Sequence, residues 1–303
     1  MILNDEFYNS PTKISAFLAE RSISPQKRFG QNFLINQDVR LKIAQPILAH
    51  NEIKDGKEGG LVWEIGPGMG AETALFLKAG FCVRAFEIDR GFCALLKETF
   101  AKEYPDLFKL TEGDVMQTWK KEGEKEKPRF LLGNLPYNIA ASLICAFIEN
   151  GFFFERCVIT VQKEVAARML SSKAGKNYSS LSVLCGAIYD ISVIASLKPQ
   201  NFYPRPNVDS AALLMVKKDN INETVLEKDF FPFVRAMFAS RRKTVKNNLS
   251  NFFVIHGVKD RFLPADEAFL TNKRAEDLDL NDFLRLYKLA LARVAVHKTG
   301  VYG

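Results

Sequence analysis

Leu61-Val62-Trp63-Glu64-Ile65-Gly66-Pro67-Gly68-Met69-Gly70 decides the fold. Its first half is a short apolar strand, a glycine loop follows, and residues 72–78 read as a helix. Gly66, Gly68 and Gly70 alternate, so the backbone can turn tightly and approach a ligand that a side chain would hold off. Pro67 stiffens the turn and Glu64 stands just before it. In a dinucleotide enzyme the next helix N-terminus would face a pyrophosphate. An acid beside the loop repels a diphosphate and suits a cationic or amine-bearing ligand.

The same rhythm continues on both sides. Upstream, residues 39–48 carry Val39, Ile43, Ala44 and Ile47 at helical spacing. Downstream, 82–88 reads as a second strand, 92–102 as a helix, and 107–110, 130–132 and 156–161 as further strands. Short apolar strands alternating with helices predict an α/β fold with a mainly parallel sheet covered on both faces. Residues 121–129 are dense in Lys and Glu of balanced sign and read as a solvated loop. Late strands are expected at 189–197 and 211–216. Beyond Lys217 helices dominate, at 230–239, 243–252 and 282–294.

Two acids extend the glycine loop into a pattern. Glu87 ends the second strand, 21 residues after Gly66, where a carboxylate can accept from ribose hydroxyls. Asp114 follows the third strand and can accept from an exocyclic adenine amine. The ordered set describes a nucleoside-bearing cofactor with no required phosphate, which S-adenosylmethionine fits. Plainer readings stand beside it: a glycine loop that only turns the chain, Glu87 as neighbour of a helix cap, Asp114 as a cap. Nicotinamide dinucleotide is the chemical rival, but no alcohol-oxidising acid/base pair is evident.

Bulk properties narrow the class. The chain has 303 residues, 47% hydrophobic and 25% charged, enough for a large core and a smaller domain. A formal charge of +7 favours an anionic partner, nucleic acid above all. Cys82, Cys93, Cys145, Cys157 and Cys185 are widely spaced and read as buried thiols in a reducing compartment. His50, His256 and His297 are as scattered, so no metal is expected. The N-terminus lacks a signal pattern, and no apolar run reaches the roughly 20 residues of a membrane helix. The expectation is a cytoplasmic protein without membrane contact.

Asn134-Leu135-Pro136-Tyr137 closes the strand at 130–132 and precedes a helix-like stretch at 139–148. An amide, a stiffened backbone and an aromatic ring in one loop can hold a planar amine-bearing base, although a plain turn is the bland reading. With this tetrapeptide in place the chain resembles the ribosomal RNA adenine N6-dimethyltransferases. The resemblance runs over 26–275, through Gly30-Gln31-Asn32-Phe33-Leu34, Glu64-Ile65-Gly66-Pro67-Gly68, Glu87-Ile88-Asp89, Gly113-Asp114 and Gly133-Asn134-Leu135-Pro136-Tyr137-Asn138-Ile139. It continues in Val161-Gln162-Lys163-Glu164-Val165-Ala166, Leu181-Ser182-Val183, Phe202 with Pro204 and Pro206, and Val208-Asp209-Ser210. Arg241-Arg242-Lys243-Thr244 with Asn247-Asn248-Leu249 completes the set.

The resemblance implies a Rossmann-like class I methyltransferase with a smaller C-terminal helical domain. Residues 1–35 would border substrate and cofactor, 36–218 form the methyltransferase domain, and 219–303 the RNA- or ribosome-binding domain. It implies transfer of two methyls from S-adenosylmethionine, leaving S-adenosylhomocysteine, to N6 of two adjacent adenines near the 3′ end of 16S rRNA in the assembling small subunit. Asn134 and the Leu135 carbonyl would engage the amine beside Pro136, Tyr137 would stack on the base, and Phe202 would cover its other face. Gln31, Asn32 and Leu34 would border the cofactor, joined by Glu64, Gly66, Gly68, Glu87, Ile88, Asp114 and Val115. Lys27, Arg28, Arg235, Arg241, Arg242, Lys243 and Lys246 would meet phosphates, and the free protein is expected to be monomeric.

This chain also departs from the family pattern. Glu72 stands where relatives carry an apolar residue, residues 171–180 lack the usual proline-glycine opening, and Ala140-Ala141-Ser142 replaces a Ser/Thr-Pro context. Two alternatives remain: a large-subunit rRNA adenine N6-methyltransferase, and a non-catalytic ribosome assembly factor.

Overall fold

The structure, a computed structural model, describes residues 4–26, 29–51, 60–135, 139–258 and 271–300. In chain order these begin with helices α1 (Asp5–Tyr8) and α2 (Pro11–Glu20), strand β1 (Phe33–Leu34) and helix α3 (Gln37–Leu48). Then come β2 (Leu61–Ile65), α4 (Ala71–Lys78), β3 (Cys82–Glu87), α5 (Arg90–Leu96), β4 (Phe108–Glu112), α6 (Val115–Lys125) and β5 (Phe130–Asn134). They continue through α7 (Ala140–Glu149), β6 (Arg156–Gln162), α8 (Lys163–Met169), α9 (Ser180–Ile188), β7 (Tyr189–Leu197), β8 (Phe202–Tyr203) and β9 (Ser210–Lys217). Helices α10 (Phe230–Met237), α11 (Val245–Ile255) and α12 (Leu280–Gly300) close the chain.

The chain forms two compact units: Met1–Ile144 with Phe152–Ala166 and Asp190–Lys217, and Cys145–Gly151 with Ala167–Tyr189 and Lys218–Gly303. The first holds a seven-stranded sheet in the order β4-β3-β2-β5-β6-β9-β7. The five strands from β4 to β6 are parallel and β9 runs antiparallel to β6, as the alternating pattern predicts. Strand order reverses at β2, so the crevice at the carboxyl ends of β2 and β5 is where α/β sheets of this kind bind ligands.

Strand alternation assigns the two faces. Val62, Val83, Ala85, Phe130, Leu132 and Val158 pack with Ile43, Ala44 and Ile47 of α3 and Ala74, Phe76 and Leu77 of α4. Trp63 and Phe86 face the other way, where Trp63 stacks on Phe152 with centroids 5.0 Å apart. Glu64, Glu87, Asn134 and Thr160 are polar exceptions on the α3–α4 face, all near the carboxyl ends of their strands. The fold thus delivers these polar side chains to one end of a largely apolar layer.

Residues 121–129, expected as a solvated loop, lie mostly in α6, which runs to Lys125. Charge pairing across the sheet face is the cause: the buried Arg84 of β3 binds Glu122 at 3.0 Å and Glu126 through two guanidinium nitrogens. Trp63 Nε1 also donates to Glu126, at 2.9 Å. The helix expected over 92–102 is α5 followed by a π turn, Lys97–Ala101. Helices α1 and α2, unexpected in a polar stretch, bury Tyr8, Ile14 and Leu18 against Met69, Phe92 and Leu95. Tyr8 donates to the Met69 carbonyl at 3.2 Å, tying α1 to the glycine loop.

The second unit has an aromatic core. Phe233 packs edge-on against Phe252 at 5.2 Å, Phe230 meets Tyr287 at 5.4 Å, and Phe238 lies 5.7 Å from Phe283. The free thiols of Cys93, Cys145, Cys157 and Cys185 are buried and that of Cys82 partly so. Among the described residues no helix is long and apolar enough to cross a membrane.

Candidate cofactor and base site

The glycine loop takes its shape from three left-handed residues, Gly66, Gly68 and Gly70, with φ of 68°, 56° and 81°. A Cβ on Gly68 would lie 2.7 Å from the Phe33 ring, and one on Gly70 would enter the Phe100 ring. Only glycine combines this backbone with these neighbours. The loop then enters α4, and beside it lies a cavity of about 290 Å³. That is close to the lower end of the size range typical of small-molecule sites.

The cavity is lined by Gly66 and Gly68, by Glu87 and Ile88 at the end of β3, by Asp114 and Val115 after β4, and by Asn134. Residues 29–33 form the remaining wall. Gln31 holds that wall in place: its amide nitrogen donates to Asp89 at 3.3 Å and its oxygen accepts from Gln26 N–H at 2.6 Å. Sequence reasoning therefore located both acids, the glycines, Gln31 and Asn32. It missed Phe33, Phe29, Ile65, Phe86, Gly113 and Ile139. The Phe33 miss is a matter of strand parity in β1: Leu34 turns into the core at 7% exposure while Phe33 lines the cavity.

Glu87 accepts three backbone bonds, from Ile88 and Asp89 N–H at 2.9 Å each on Oε1 and from Gly68 N–H at 3.2 Å on Oε2. A carboxylate offers about four acceptor positions, so one remains for a ligand. Burial pushes Glu87 up to about 6, and those N–H bonds oppose the rise. Asp114 is the N-cap of α6, its Oδ1 accepting from Met116 N–H at 2.9 Å. Its plain reading as a cap is thus correct, and Oδ2 stays available to a ligand. Ile88, 41% exposed, supplies apolar surface at the cavity.

Asn134 ends β5 with its Nδ2 donating to the Asn32 carbonyl at 2.6 Å. That bond fixes the amide orientation and leaves Oδ1 as an acceptor. The Leu135 side chain is buried, and its N–H donates to the Thr160 carbonyl at 3.2 Å. Pro136, Tyr137, Lys27 and Arg28 lie outside the described residues.

Three expected positions differ, the core-facing Leu34 among them. Glu64 is absent from the large cavity; it lines a second one of about 20 Å³ with Glu72, Leu34 and Thr160. The two cavities share Ile65, Gly66 and Asn134. Glu64 is 2% exposed, accepts from the Thr73 hydroxyl at 2.6 Å, and is pushed by burial up to about 8. Phe202, expected as a second ring for the base, is 1% exposed in the core and pairs through its backbone with Leu34. Burial beneath the short β1–β8 sheet takes it out of the cavity wall.

The basic segment is also only partly available. Arg235 pairs with Glu149 at 2.6 Å. Arg241 Nη2 donates to the Lys176 and Tyr178 carbonyls at 3.2 and 3.3 Å and to Glu276 at 3.1 Å, bracketing the 171–180 loop. Arg242, Lys243 and Lys246 are exposed. Among the described residues no group of His, Cys, Asp and Glu could hold a metal ion.

Comparison with known proteins places this geometry. Residues 23–291 match the family described as ribosomal RNA adenine dimethylase. A ribosomal RNA small subunit methyltransferase A from Treponema denticola is 40% identical over 282 residues, covering 92% of this chain and 94% of that protein. One from Borreliella burgdorferi is 39% identical over 281 residues, covering 92% and 93%. Among solved structures, a dimethyladenosine transferase from Plasmodium falciparum superposes with a TM-score of 0.67 at 25% identity, covering 85% of this chain and 97% of that one. A 23S rRNA methyltransferase, ErmE, shares the fold with a TM-score of 0.57 at 18% identity, covering 86% and 99%. A match spanning nearly the whole chain, with the loop, the acids and Asn134 gathered at one end of the sheet, makes this chain a member of the ribosomal RNA adenine dimethylase family.

Proposed function

We propose that the chain dimethylates N6 of two adjacent adenines near the 3′ end of 16S rRNA in the small ribosomal subunit, using S-adenosylmethionine. Family membership supports the reaction and its substrate. The observation that carries the residue assignment is the Asn134–Asn32 bond, because it presents Oδ1 as an acceptor beside the cavity. The cavity residues fit the cofactor: Glu87 has acceptor capacity for ribose hydroxyls, Asp114 Oδ2 for the adenine amine, and Ile88 and Val115 offer apolar faces.

When bound, the cofactor supplies an electrophilic methyl on a sulfonium. Adenine N6 is a poor nucleophile because its lone pair is delocalised into the ring. Asn134 Oδ1 and the Leu135 carbonyl accept from the amine, orient it and favour the geometry it needs for in-line attack. Tyr137 stacks on the base, which must leave its own stack at a cost of a few kcal/mol. No residue becomes covalently modified, and the N6 proton departs after transfer, when the nitrogen is acidic. Arg242, Lys243 and Lys246 meet RNA phosphates, and Lys27 and Arg28 are assigned the same role. The enzyme works in the cytoplasm, with its substrate.

Mass mapping of methylated adenines tests this reading after incubation of the protein and labelled cofactor with unmodified small and large subunits. Two adjacent dimethyladenines in the small subunit are expected. Modification confined to the large subunit contradicts the proposal.

A further inference from the structure

Glu72 is the departure that the reaction leaves unused. It stands in the first turn of α4, beside Thr73, whose hydroxyl holds Glu64. Glu64 and Glu72 line the same 20 Å³ cavity, which has room for about one water-sized group. That cavity adjoins the cofactor cavity through Ile65, Gly66 and Asn134. Among the described residues neither carboxylate forms an ion pair. The cation that Glu72 does feel is Arg40, but that guanidinium is already bound to the Leu34 carbonyl, Asn9 and Asp5.

Two acids without an ion-pair partner among the described residues, beside the site of a cationic cofactor, need an explanation. We infer that Glu72 is a selectivity residue: with Glu64 it offers one negative charge to the cationic end of the methyl donor and sheds a proton to solvent when the donor binds. The product lacks the sulfonium charge and draws less on the pair. This inference rests on the cofactor assignment above.

The surroundings favour a proton held by the pair before the donor binds. Burial raises both Glu64, to about 8, and Glu72. Arg40 of α3 opposes the rise at Glu72, the Thr73 hydrogen bond opposes it at Glu64, and the charges of Glu72 and, to a smaller extent, Glu87 on β3 add to it at Glu64. Tyr8 of α1 lies near both, its own pKa raised by burial and by the charges of Glu72 and Glu64. A bound cation stabilises the ionised pair, so donor affinity should climb as pH rises from 6 to 8.

Calorimetric titration of the full chain with S-adenosylmethionine and S-adenosylhomocysteine, in two buffers of different protonation enthalpy, tests the idea. Wild type should release a proton on binding the donor and less on binding the product. Glu72→Leu, which restores the apolar residue of relatives, and Glu72→Gln, which keeps the shape, should both release less, because Glu64 is left without its acidic neighbour. Their preference for donor over product should fall on the order of tenfold, or about 1.4 kcal/mol. Retained product affinity reports that each variant is folded. Unchanged preference and unchanged proton release in both variants would overturn the inference. Failure of wild type to bind either ligand would instead overturn the cofactor assignment beneath it.

Discussion

The carboxyl ends of β2, β3 and β5 and the basic segment 235–246 use polar residues in opposite ways. At the strand ends, internal bonds aim side chains while leaving acceptors over: Asn134 donates to Asn32 and keeps Oδ1, and Asp114 caps α6 and keeps Oδ2. In the basic segment, internal bonds take the charge itself: Arg235 is paired with Glu149 and Arg241 is bracketed by two carbonyls and Glu276. A motif whose geometry is set by backbone constraints therefore reads through to chemistry. A count of positive residues overstates the surface available to RNA.

The sharpest way to break that comparison is Glu87→Ala. Loss of a charged acceptor costs about 1.5–3 kcal/mol, so cofactor affinity should drop on the order of 10- to 100-fold by equilibrium dialysis. Asp114→Ala also removes a charged acceptor and should cost the lower end of the same range, about 1.5 kcal/mol or roughly tenfold. If both leave the affinity unchanged, the strand-end acceptors are only structural. In the basic segment, Arg242→Ala and Lys243→Ala should each lower the slope of log affinity for the RNA against log salt by about 1. Arg241→Ala should instead lower the melting temperature and leave the free protein with a more open 171–180 loop by hydrogen exchange. An equal loss of salt slope in the Arg241 variant would erase the distinction drawn here.

A separate test concerns pH. Glu64 titrates near 8 in the fold, against an ordinary value of 4.5. Between those values the folded chain holds a proton that the unfolded chain has lost, so the group's contribution to stability is full below about 4.5 and is lost as pH rises toward 8. Glu64→Gln stays neutral, so its melting temperature relative to wild type should rise across pH 5–8. A constant difference would place the Glu64 carboxylate in a far more polar setting.

The parallel sheet was legible because its strands are short apolar runs, and the glycine loop because its residues must take left-handed angles. Helices α1 and α2 were not, since only Tyr8, Ile14 and Leu18 of that polar stretch are buried. The α6 extension was hidden because Glu122 and Glu126 look solvent-facing until Arg84 is known to lie opposite them. At the site, Glu87, Asp114 and Asn134 were readable from their place after strands. Phe202 was not: an aromatic in a proline-rich loop and an aromatic in a core look alike until its β1 partner is seen. Glu72 stood out only as a departure, and its closeness to Glu64 needed the turn from β2 into α4 to be seen.

The most direct test is Asn134→Ala, with cofactor binding and methyl transfer to unmodified small subunits measured on the same preparation. Binding within a few-fold of wild type, with transfer reduced on the order of 100- to 1,000-fold, is the predicted result. Transfer equal to wild type would contradict the account.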